Sequence, residues 1–186
     1  MTKTVGKLLD IGCKRLANVS DTPKLDSSLL VAKVLAKSRE WLIAHAGESV
    51  GHEEEAEVQA LFSRRASGEP IAYIRGYQPF WKHNFVVTRD TLIPRPDTEL
   101  LVEIILSRFS EHSIKVADLG TGSGALAVSL GFERPEWKIL GIDISEGALA
   151  VAKQNAGELR NVHFSLGSWF TNVKESFDLI ISNPPY

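Results

Sequence analysis

A regular alternation of apolar runs and helical patterns, which begins near residue 114, constrains the fold more than any other feature. Short apolar runs are separated by segments whose apolar residues recur at helical spacing. The predicted strands are 114–119, 138–143, 161–166 and 177–182, and the predicted helices are 124–133 and 146–156. Strands that alternate with helices in this way form a parallel, doubly wound α/β sheet, in which ligands bind at the carboxyl ends of the strands.

The first predicted strand leads into a glycine-rich turn, residues 118–124, with the sequence DLGTGSG. Glycine permits positive φ angles and close approach of a ligand to the backbone, and the N–H groups at the start of the next helix favour anionic or polar groups. Asp143 ends the second strand, where a carboxylate is placed to accept both hydroxyls of a ribose. The candidate cofactor-binding residues are therefore Gly120, Thr121, Gly122, Ser123, Gly124 and Asp143.

The glycine pattern alone leaves several interpretations open. Residues 120–125 also fit the G-x-G-x-x-A variant used for NAD, and glycine turns without a ligand are common. Asp143 is equally able to cap the helix that begins near Ser145. A Gly-Lys-Ser/Thr P-loop is absent from the sequence, so nucleotide hydrolysis has no support.

A second motif, Asn183-Pro184-Pro185-Tyr186, follows the last predicted strand. Each proline fixes φ and lacks an N–H, so the segment is stiff. The Asn183 side-chain oxygen and the Pro184 carbonyl can together accept both hydrogens of a planar NH2 group, and Tyr186 can lie against the same plane. We predict that Asn183 and Pro184 are catalytic and that all four residues bind substrate. Since this motif, Asp118, the glycine turn and Asp143 all lie at strand ends, together they favour S-adenosylmethionine as the cofactor.

The two motifs together resemble a class I methyltransferase that acts on planar nitrogen. Two further segments narrow the resemblance: residues 68–76 (GEPIAYIRG) and 92–99 (LIPRPDTE). With them, nearly the whole chain is similar to the bacterial protein-(glutamine-N5) methyltransferases that modify peptide chain release factors. The resemblance implies methyl transfer from S-adenosyl-L-methionine to the glutamine side chain of the Gly-Gly-Gln motif in a release factor.

The resemblance also suggests roles for particular residues. Asn183 is expected to contact the cofactor as well as the substrate, and Trp169 is expected to stack on adenine, although the alternative that Trp169 packs under the sheet stays open. Arg95 and Thr98 lie in the segment that the family places near the cofactor, without an assigned role. Ser168 stands where related sequences often have an acidic residue, and a serine would hold the adenine amino group more weakly than a carboxylate.

The sequence before residue 96 predicts two further parts. Residues 1–75 read as a helical bundle that recognises the substrate, and residues 76–95 as a β-hairpin linker, with strands near Phe80 and Phe85 around Lys82-His83-Asn84. The methyltransferase domain then occupies residues 96–186. Its first helix is expected to be capped by Asp97 or Thr98, with a buried face formed by Leu100, Leu101, Ile104 and Ile105.

Charge and composition restrict the class of function. The net charge is −2, and residues 1–75 carry 11 basic and 10 acidic side chains, so no basic surface for nucleic acid is expected. No apolar run approaches the roughly 20 residues that span a bilayer. The five histidines are scattered and Cys13 is the only thiol, so we predict no metal site, no internal disulfide and a cytoplasmic protein.

Two alternatives to methylation of a release factor stay open. The Asn183-Pro184-Pro185-Tyr186 motif suits an exocyclic amine of a nucleic-acid base equally well. The family's catalytic domain also continues beyond residue 186, so the chain resembles a methyltransferase incomplete at its carboxyl end. With the family's strand order, 3-2-1-4, the fourth strand would then be an unpaired edge, and the 186-residue chain is expected to be inactive and to self-associate.

Overall fold

The structure is a computed structural model that describes residues 2–109, 113–171 and 173–183. The chain divides into two compact units, Met1–Arg75 and Gly76–Tyr186, each with its own hydrophobic core. Within the described ranges, every helix is too short or too polar to cross a bilayer.

The first unit is helical, as its apolar spacing predicts. Its helices are α1 (Val5–Leu16), α2 (Pro23–Leu35), α3 (Arg39–Ala44), α4 (His52–Ala66) and α5 (Ile71–Arg75). A Cβ atom on Gly12 would lie 2.3 Å from both the Phe62 ring and the Ser27 hydroxyl, so glycine at this position allows α1, α2 and α4 to approach closely. Arg65 of α4 forms a 2.7 Å ion pair with the buried Asp26 carboxylate of α2, which connects these two helices.

The second unit begins with a hairpin of β1 (Tyr77–Phe80) and β2 (His83–Val86). The sequence places the turn at Lys82-His83-Asn84, which is wrong: Phe80 pairs with His83, so Trp81 and Lys82 form the turn and Asn84 lies in β2. Trp81 adopts a positive φ of 54°, which apolar patterning does not reveal. Phe80 and Phe85 are buried in the core of the second unit, so the hairpin packs as part of that unit.

Helix α6 (Asp97–Arg108) follows the hairpin and differs from its sequence prediction in two ways. Leu100 is 58% exposed and Ile104 is 40% exposed, against the prediction, whereas Ile105 is buried as predicted and Val102 is buried as well. Because residues 100–102 and 104–106 are all apolar, periodicity does not fix the buried face of this helix. The observed buried face lies about a quarter turn from the predicted one. The residue before the helix is Pro96, and no side chain caps its first turn. The Thr98 hydroxyl has a different partner, described below.

The remaining elements form a doubly wound sheet, which confirms the predicted α/β class. They are β3 (Lys115–Leu119), α7 (Ala125–Glu133), β4 (Lys138–Asp143), α8 (Glu146–Ala156), β5 (Val162–Leu166) and β6 (Leu179–Ser182). The strands are parallel and lie in the order β5-β4-β3-β6, which is the 3-2-1-4 order expected from the family. Among the described residues, β6 is one edge of this sheet and β5 the other.

Successive side chains along each strand point to opposite faces of the sheet. Val116, Ile139, Val162 and Ile181 share one buried cluster with residues of α6 and α7. On the opposite face, Ala117, Leu119 and Ile142 form a smaller cluster. The parallel pairing of β3 with β4 and with β6 places the carboxyl ends of these strands side by side.

Candidate active site

The register of the central strands brings three of the predicted site regions together. Leu119 at the end of β3 pairs with Ile142 of β4 on one side and with Ser182 of β6 on the other. The next residues along these strands are Gly120, Asp143 and Asn183. Parallel pairing alone therefore places the glycine turn, the Asp143 carboxylate and Asn183 together at the carboxyl ends of the strands.

The glycine turn has the backbone that its sequence predicts. Gly120, Gly122 and Gly124 adopt φ angles of 72°, 55° and 78°, in the left-handed region that favours glycine. The N–H groups of Gly120 and Thr121 both donate to the Ile142 carbonyl, at 2.8 and 3.0 Å, which fixes the turn to β4. A Cβ atom on Gly120 would have no neighbour within 4 Å, so the turn presents bare backbone to open space, where a ligand can approach.

Asp143 holds the turn from the neighbouring strand. Its Oδ2 accepts a hydrogen bond from the Gly122 N–H at 2.9 Å, and its Oδ1 accepts one from the Ser145 N–H at 3.0 Å. The cap of α8 is Ser145, whose hydroxyl accepts from the Ala148 N–H, so Asp143 is not the helix cap. A carboxylate offers about four acceptor positions, and two are used here. The other positions have no hydrogen bond within the described residues and can accept one from a ligand.

Asp118 lies beneath the turn and is 1% exposed. Burial raises the pKa of this carboxyl from 3.8 to about 6, while the hydrogen bond from Thr121 and the Ala127 N–H oppose the rise and the Asp143 charge adds to it. The Thr121 hydroxyl donates to Asp118 Oδ2 at 2.7 Å. Asp118 therefore braces the turn from inside.

Asn183 is the last described residue of its motif, and its side chain is anchored. Its Nδ2 donates to Thr98 Oγ1 at 3.0 Å. Within the described residues, its Oδ1 has no hydrogen bond, so this oxygen can accept one from another molecule. Pro184, Pro185 and Tyr186 lie outside the described residues, so their predicted roles stay predictions.

A small cavity of about 50 Å³ adjoins the glycine turn and Asn183, whereas Asp143 and Gly124 are not among its lining residues. Its lining includes Thr98, Asp118 and Asn183 together with residues 120–123 of the turn. This volume is far below the roughly 300–1,000 Å³ of a whole small-molecule pocket, so it fits one polar end of a ligand whose remainder lies over the open edge of the sheet. The residues present fit an adenosine-type cofactor through the bare glycine backbone and the acceptor positions of Asp143.

A larger cavity of about 760 Å³ lies elsewhere in the second unit. Its walls include Lys115, Lys138 and Asn161, which begin or precede strands β3, β4 and β5. Since open α/β sheets bind ligands at the carboxyl ends of their strands, the smaller cavity is the candidate active site.

Trp169 and Arg95 are not among the residues that line the smaller cavity. Trp169 follows β5, is 64% exposed and has a positive φ of 51°. This exposure rules out the alternative that it packs under the sheet. Arg95 is exposed, and its backbone carbonyl accepts from the Thr98 N–H at 3.0 Å. Within the described ranges, no group of three His, Cys, Asp or Glu side chains is placed to hold a metal ion.

Two residues at this site were not identified from the sequence. Thr98 is predicted from the sequence only as a possible helix cap, because its contact with Asn183 spans 85 positions. Gly141 was read only as part of a strand. A Cβ atom there would lie 2.9 Å from the Thr121 hydroxyl and 2.7 Å from the Phe164 ring, so glycine leaves room for the Thr121–Asp118 hydrogen bond. A glycine inside a strand is the signal of such close approach.

Two family models match the chain: the PrmC N-terminal domain over residues 7–76 and the methyltransferase small domain over residues 95–186. Three similar relatives are release factor glutamine methyltransferases. That of Aliivibrio fischeri is 43% identical over 90% of this chain and 60% of its own length. The relative from Buchnera aphidicola is 42% identical over 98% and 66%, respectively, and that from Coxiella burnetii is 44% identical over 93% and 64%.

The chain thus spans a little under two thirds of the length of these curated relatives. The two matched domains follow one another and together cover most of the chain. The chain belongs to the release factor glutamine methyltransferase family.

Proposed function

We propose, from the chain's membership of the release factor glutamine methyltransferase family, that the protein methylates the side-chain amide nitrogen (N5) of glutamine in the Gly-Gly-Gln motif of peptide chain release factors, with S-adenosyl-L-methionine as the methyl donor. The observation that carries the proposal is the anchored amide of Asn183. It stands beside the glycine turn with Nδ2 bound to Thr98 and with Oδ1 available to accept.

The chemistry explains why an acceptor is needed at this point. An amide nitrogen is a poor nucleophile because its lone pair is delocalised into the carbonyl. When bound, S-adenosylmethionine supplies an electrophilic methyl group on a sulfonium. The protein's task is then to orient the amide, which is mostly a matter of positioning.

Asn183 and Pro184 perform this orientation in the proposal. The Asn183 Oδ1 and the Pro184 carbonyl each accept one hydrogen of the substrate NH2 group. Both acceptors also stabilise positive charge that develops on the nitrogen, an electrostatic effect aimed at the transition state. Pro185 and Tyr186 complete the slot around the planar amide. A strong general base is unnecessary, since the methylated nitrogen becomes acidic and loses its proton readily.

The glycine turn and Asp143 hold the cofactor in the same proposal. Thr121 and Ser123 accompany Gly120, Gly122 and Gly124 in the turn, Asp143 accepts the ribose hydroxyls, and Trp169 stacks on adenine. The 64% exposure of Trp169 supports this last role, because its ring has surface left to cover. Asn183 would contact the cofactor as well as the substrate, since it lines the same cavity as residues 120–123.

The remaining parts concern the partner and the location. Residues 1–75 recognise the release factor, residues 76–95 link the bundle to the catalytic part, and residues 96–186 belong to the methyltransferase domain. A net charge of −2 supports a protein substrate over direct binding of nucleic acid. Because release factors act on ribosomes, the proposal places the protein in the cytoplasm.

The test is transfer of tritiated methyl groups by the protein, extended to the length of its relatives, to a release factor. The control substrate is the same release factor with the Gly-Gly-Gln glutamine replaced by glutamate, which has no amide nitrogen. Label in the first protein and none in the control is expected. Label that enters DNA or RNA and not the release factor would overturn the proposal in favour of an exocyclic-amine nucleic-acid methyltransferase.

A further inference from the structure

Asn155, in the last turn of α8, makes three hydrogen bonds that connect two other parts of the second unit. Its Oδ1 accepts from the Val86 N–H at 2.8 Å, and its Nδ2 donates to the Val86 carbonyl at 3.0 Å. The same Nδ2 donates to the Ser123 carbonyl at 2.8 Å. Both donor positions and the acceptor of this amide are therefore engaged by backbone.

The two partners lie in very different places along the chain. Val86 ends strand β2 of the hairpin, and Asn155 pairs with both of its backbone groups as a neighbouring strand would. Ser123 is 3% exposed and immediately precedes Gly124, the residue in left-handed conformation at the start of α7. Asn155 thus holds the final peptide of the glycine turn against the hairpin.

We propose that Asn155 is a positioning residue for the glycine turn: it fixes the Ser123 carbonyl and so keeps the N–H groups of the turn in their ligand-binding orientation. This inference rests on the proposed role of the turn in holding the cofactor. The inference also gives the hairpin a part in the site, because the hydrogen bonds to Val86 hold the Asn155 side chain in the position from which it bonds the Ser123 carbonyl.

Another asparagine in the same unit, Asn161, serves as the control for a purely structural role of Asn155. Asn161 donates from its Nδ2 to the carbonyls of Gly131 and Arg134, at 3.1 and 3.0 Å, near the other end of α7. Both residues are half-buried asparagines that satisfy backbone carbonyls of one helix or its flanks. They differ in distance from the glycine turn, so Asn161→Ala is a control for general loss of stability.

The experiment compares Asn155→Asp, Asn155→Ala and Asn161→Ala in the protein that is used for the methyl-transfer test. Asn155→Asp keeps an acceptor for the Val86 N–H and removes both bonds that Nδ2 donates, to the Ser123 and Val86 carbonyls, so it tests these two bonds even if the alanine variant folds poorly. Hydrogen exchange is followed at the Gly122 and Gly124 amides, which donate to Asp143 Oδ2 and to the Thr121 carbonyl in the structure. Melting temperature and calorimetric binding of S-adenosylhomocysteine are measured in parallel.

We expect all three variants to melt earlier, and only the Asn155 variants to exchange the two turn amides at least tenfold faster and to bind S-adenosylhomocysteine at least tenfold more weakly. Unchanged exchange in Asn155→Asp, or equal acceleration in Asn161→Ala, would overturn the positioning role. Faster exchange with unchanged ligand affinity would leave Asn155 as the residue that positions the turn and would instead refute the cofactor role proposed for the turn.

Discussion

Asn183 donates its side-chain Nδ2 to the Thr98 hydroxyl at 3.0 Å, across 85 positions of sequence. Thr98 stands in the first turn of α6, where its N–H donates to the Arg95 carbonyl. Pro94 and Pro96 restrict the backbone on both sides of Arg95, so the path into the helix is stiff. The hydrogen bond therefore ties the Asn183 side chain to a rigid segment.

Replacing Thr98 by valine is predicted to lower the rate of methyl transfer without lowering cofactor affinity. Valine keeps the shape and removes the hydroxyl, so the Asn183 amide loses the hydrogen bond that holds its side chain in place. A loss of about 1–3 kcal/mol for an unpaired polar group corresponds to roughly a tenfold to hundredfold lower kcat. Steady-state kinetics and calorimetry with S-adenosylhomocysteine measure the two quantities separately.

Thr98→Ser is the control, because serine keeps the acceptor oxygen. It should retain most of the wild-type kcat. If serine were as slow as valine, or if valine weakened cofactor binding as much as it lowered kcat, the hydroxyl would not act through Asn183.

Replacing Asp143 by alanine is predicted to weaken cofactor binding more than it lowers kcat, which is the opposite of the result expected for Thr98→Val. Its carboxylate holds the Gly122 N–H at 2.9 Å and is the proposed acceptor for ribose, so its loss should weaken S-adenosylhomocysteine binding by roughly tenfold to hundredfold. Asn183→Ala is the comparison, since it should reduce kcat far more than cofactor affinity. Calorimetry in which Asn183→Ala weakened binding more than Asp143→Ala would mean that the two roles are exchanged.

Much of the site could be predicted because parallel strands bring their carboxyl ends together. Once the strands ending at Leu119, Asp143 and Ser182 were recognised, their neighbouring positions in the sheet followed from the doubly wound pattern. The positive φ angles of the turn could be predicted as well, because glycine recurs at each alternate position from 120 to 124.

Contacts between distant side chains could not be predicted in the same way. Thr98 resembles a helix cap in the sequence, and only the fold of the second unit brings its hydroxyl to Asn183. The sequence indicates only weakly that Asn155 makes buried contacts: it is a polar residue next to Ala156 and near Ala152, both of which are buried in α8. Periodicity identifies such a position as unusual, but it does not identify Val86 and Ser123 as the partners.

Replacing Ser129 by alanine is predicted to stabilise the protein. Ser129 is fully buried in α7, and its hydroxyl has no hydrogen-bond partner among the described residues. A buried hydroxyl without a partner costs about 1–3 kcal/mol, and alanine also has the higher helix propensity. We expect a melting temperature about 2–4 °C higher per kcal/mol gained.

Ser107→Ala is the matched control for Ser129, because the Ser107 hydroxyl is exposed and donates to the Ile104 carbonyl at 2.8 Å. Its melting temperature should change little, as for most surface substitutions. A lower melting temperature for Ser129→Ala would show that its hydroxyl has a stabilising partner.

The buried carboxyl of Asp118 predicts a pH dependence of stability. Its pKa is raised by burial from 3.8 to about 6 in the folded protein, so between these values the folded state binds more protons at this group than the unfolded state does. The contribution of Asp118 to the free energy of unfolding therefore falls as the pH rises through this window. The total change corresponds to roughly 3 kcal/mol between low pH and pH above 6.

Replacing Asp118 by asparagine removes this dependence, because asparagine does not ionise and still offers an oxygen to the Thr121 hydroxyl. The melting temperature of the variant relative to wild type should therefore shift upward by several degrees from pH 5 to pH 7.5. Other titrating groups are common to both proteins and cancel in the difference, which calorimetric unfolding measures directly. A constant difference across this pH range, or one that moves in favour of the wild type as the pH rises, would show that Asp118 ionises in the folded protein without the cost of burial.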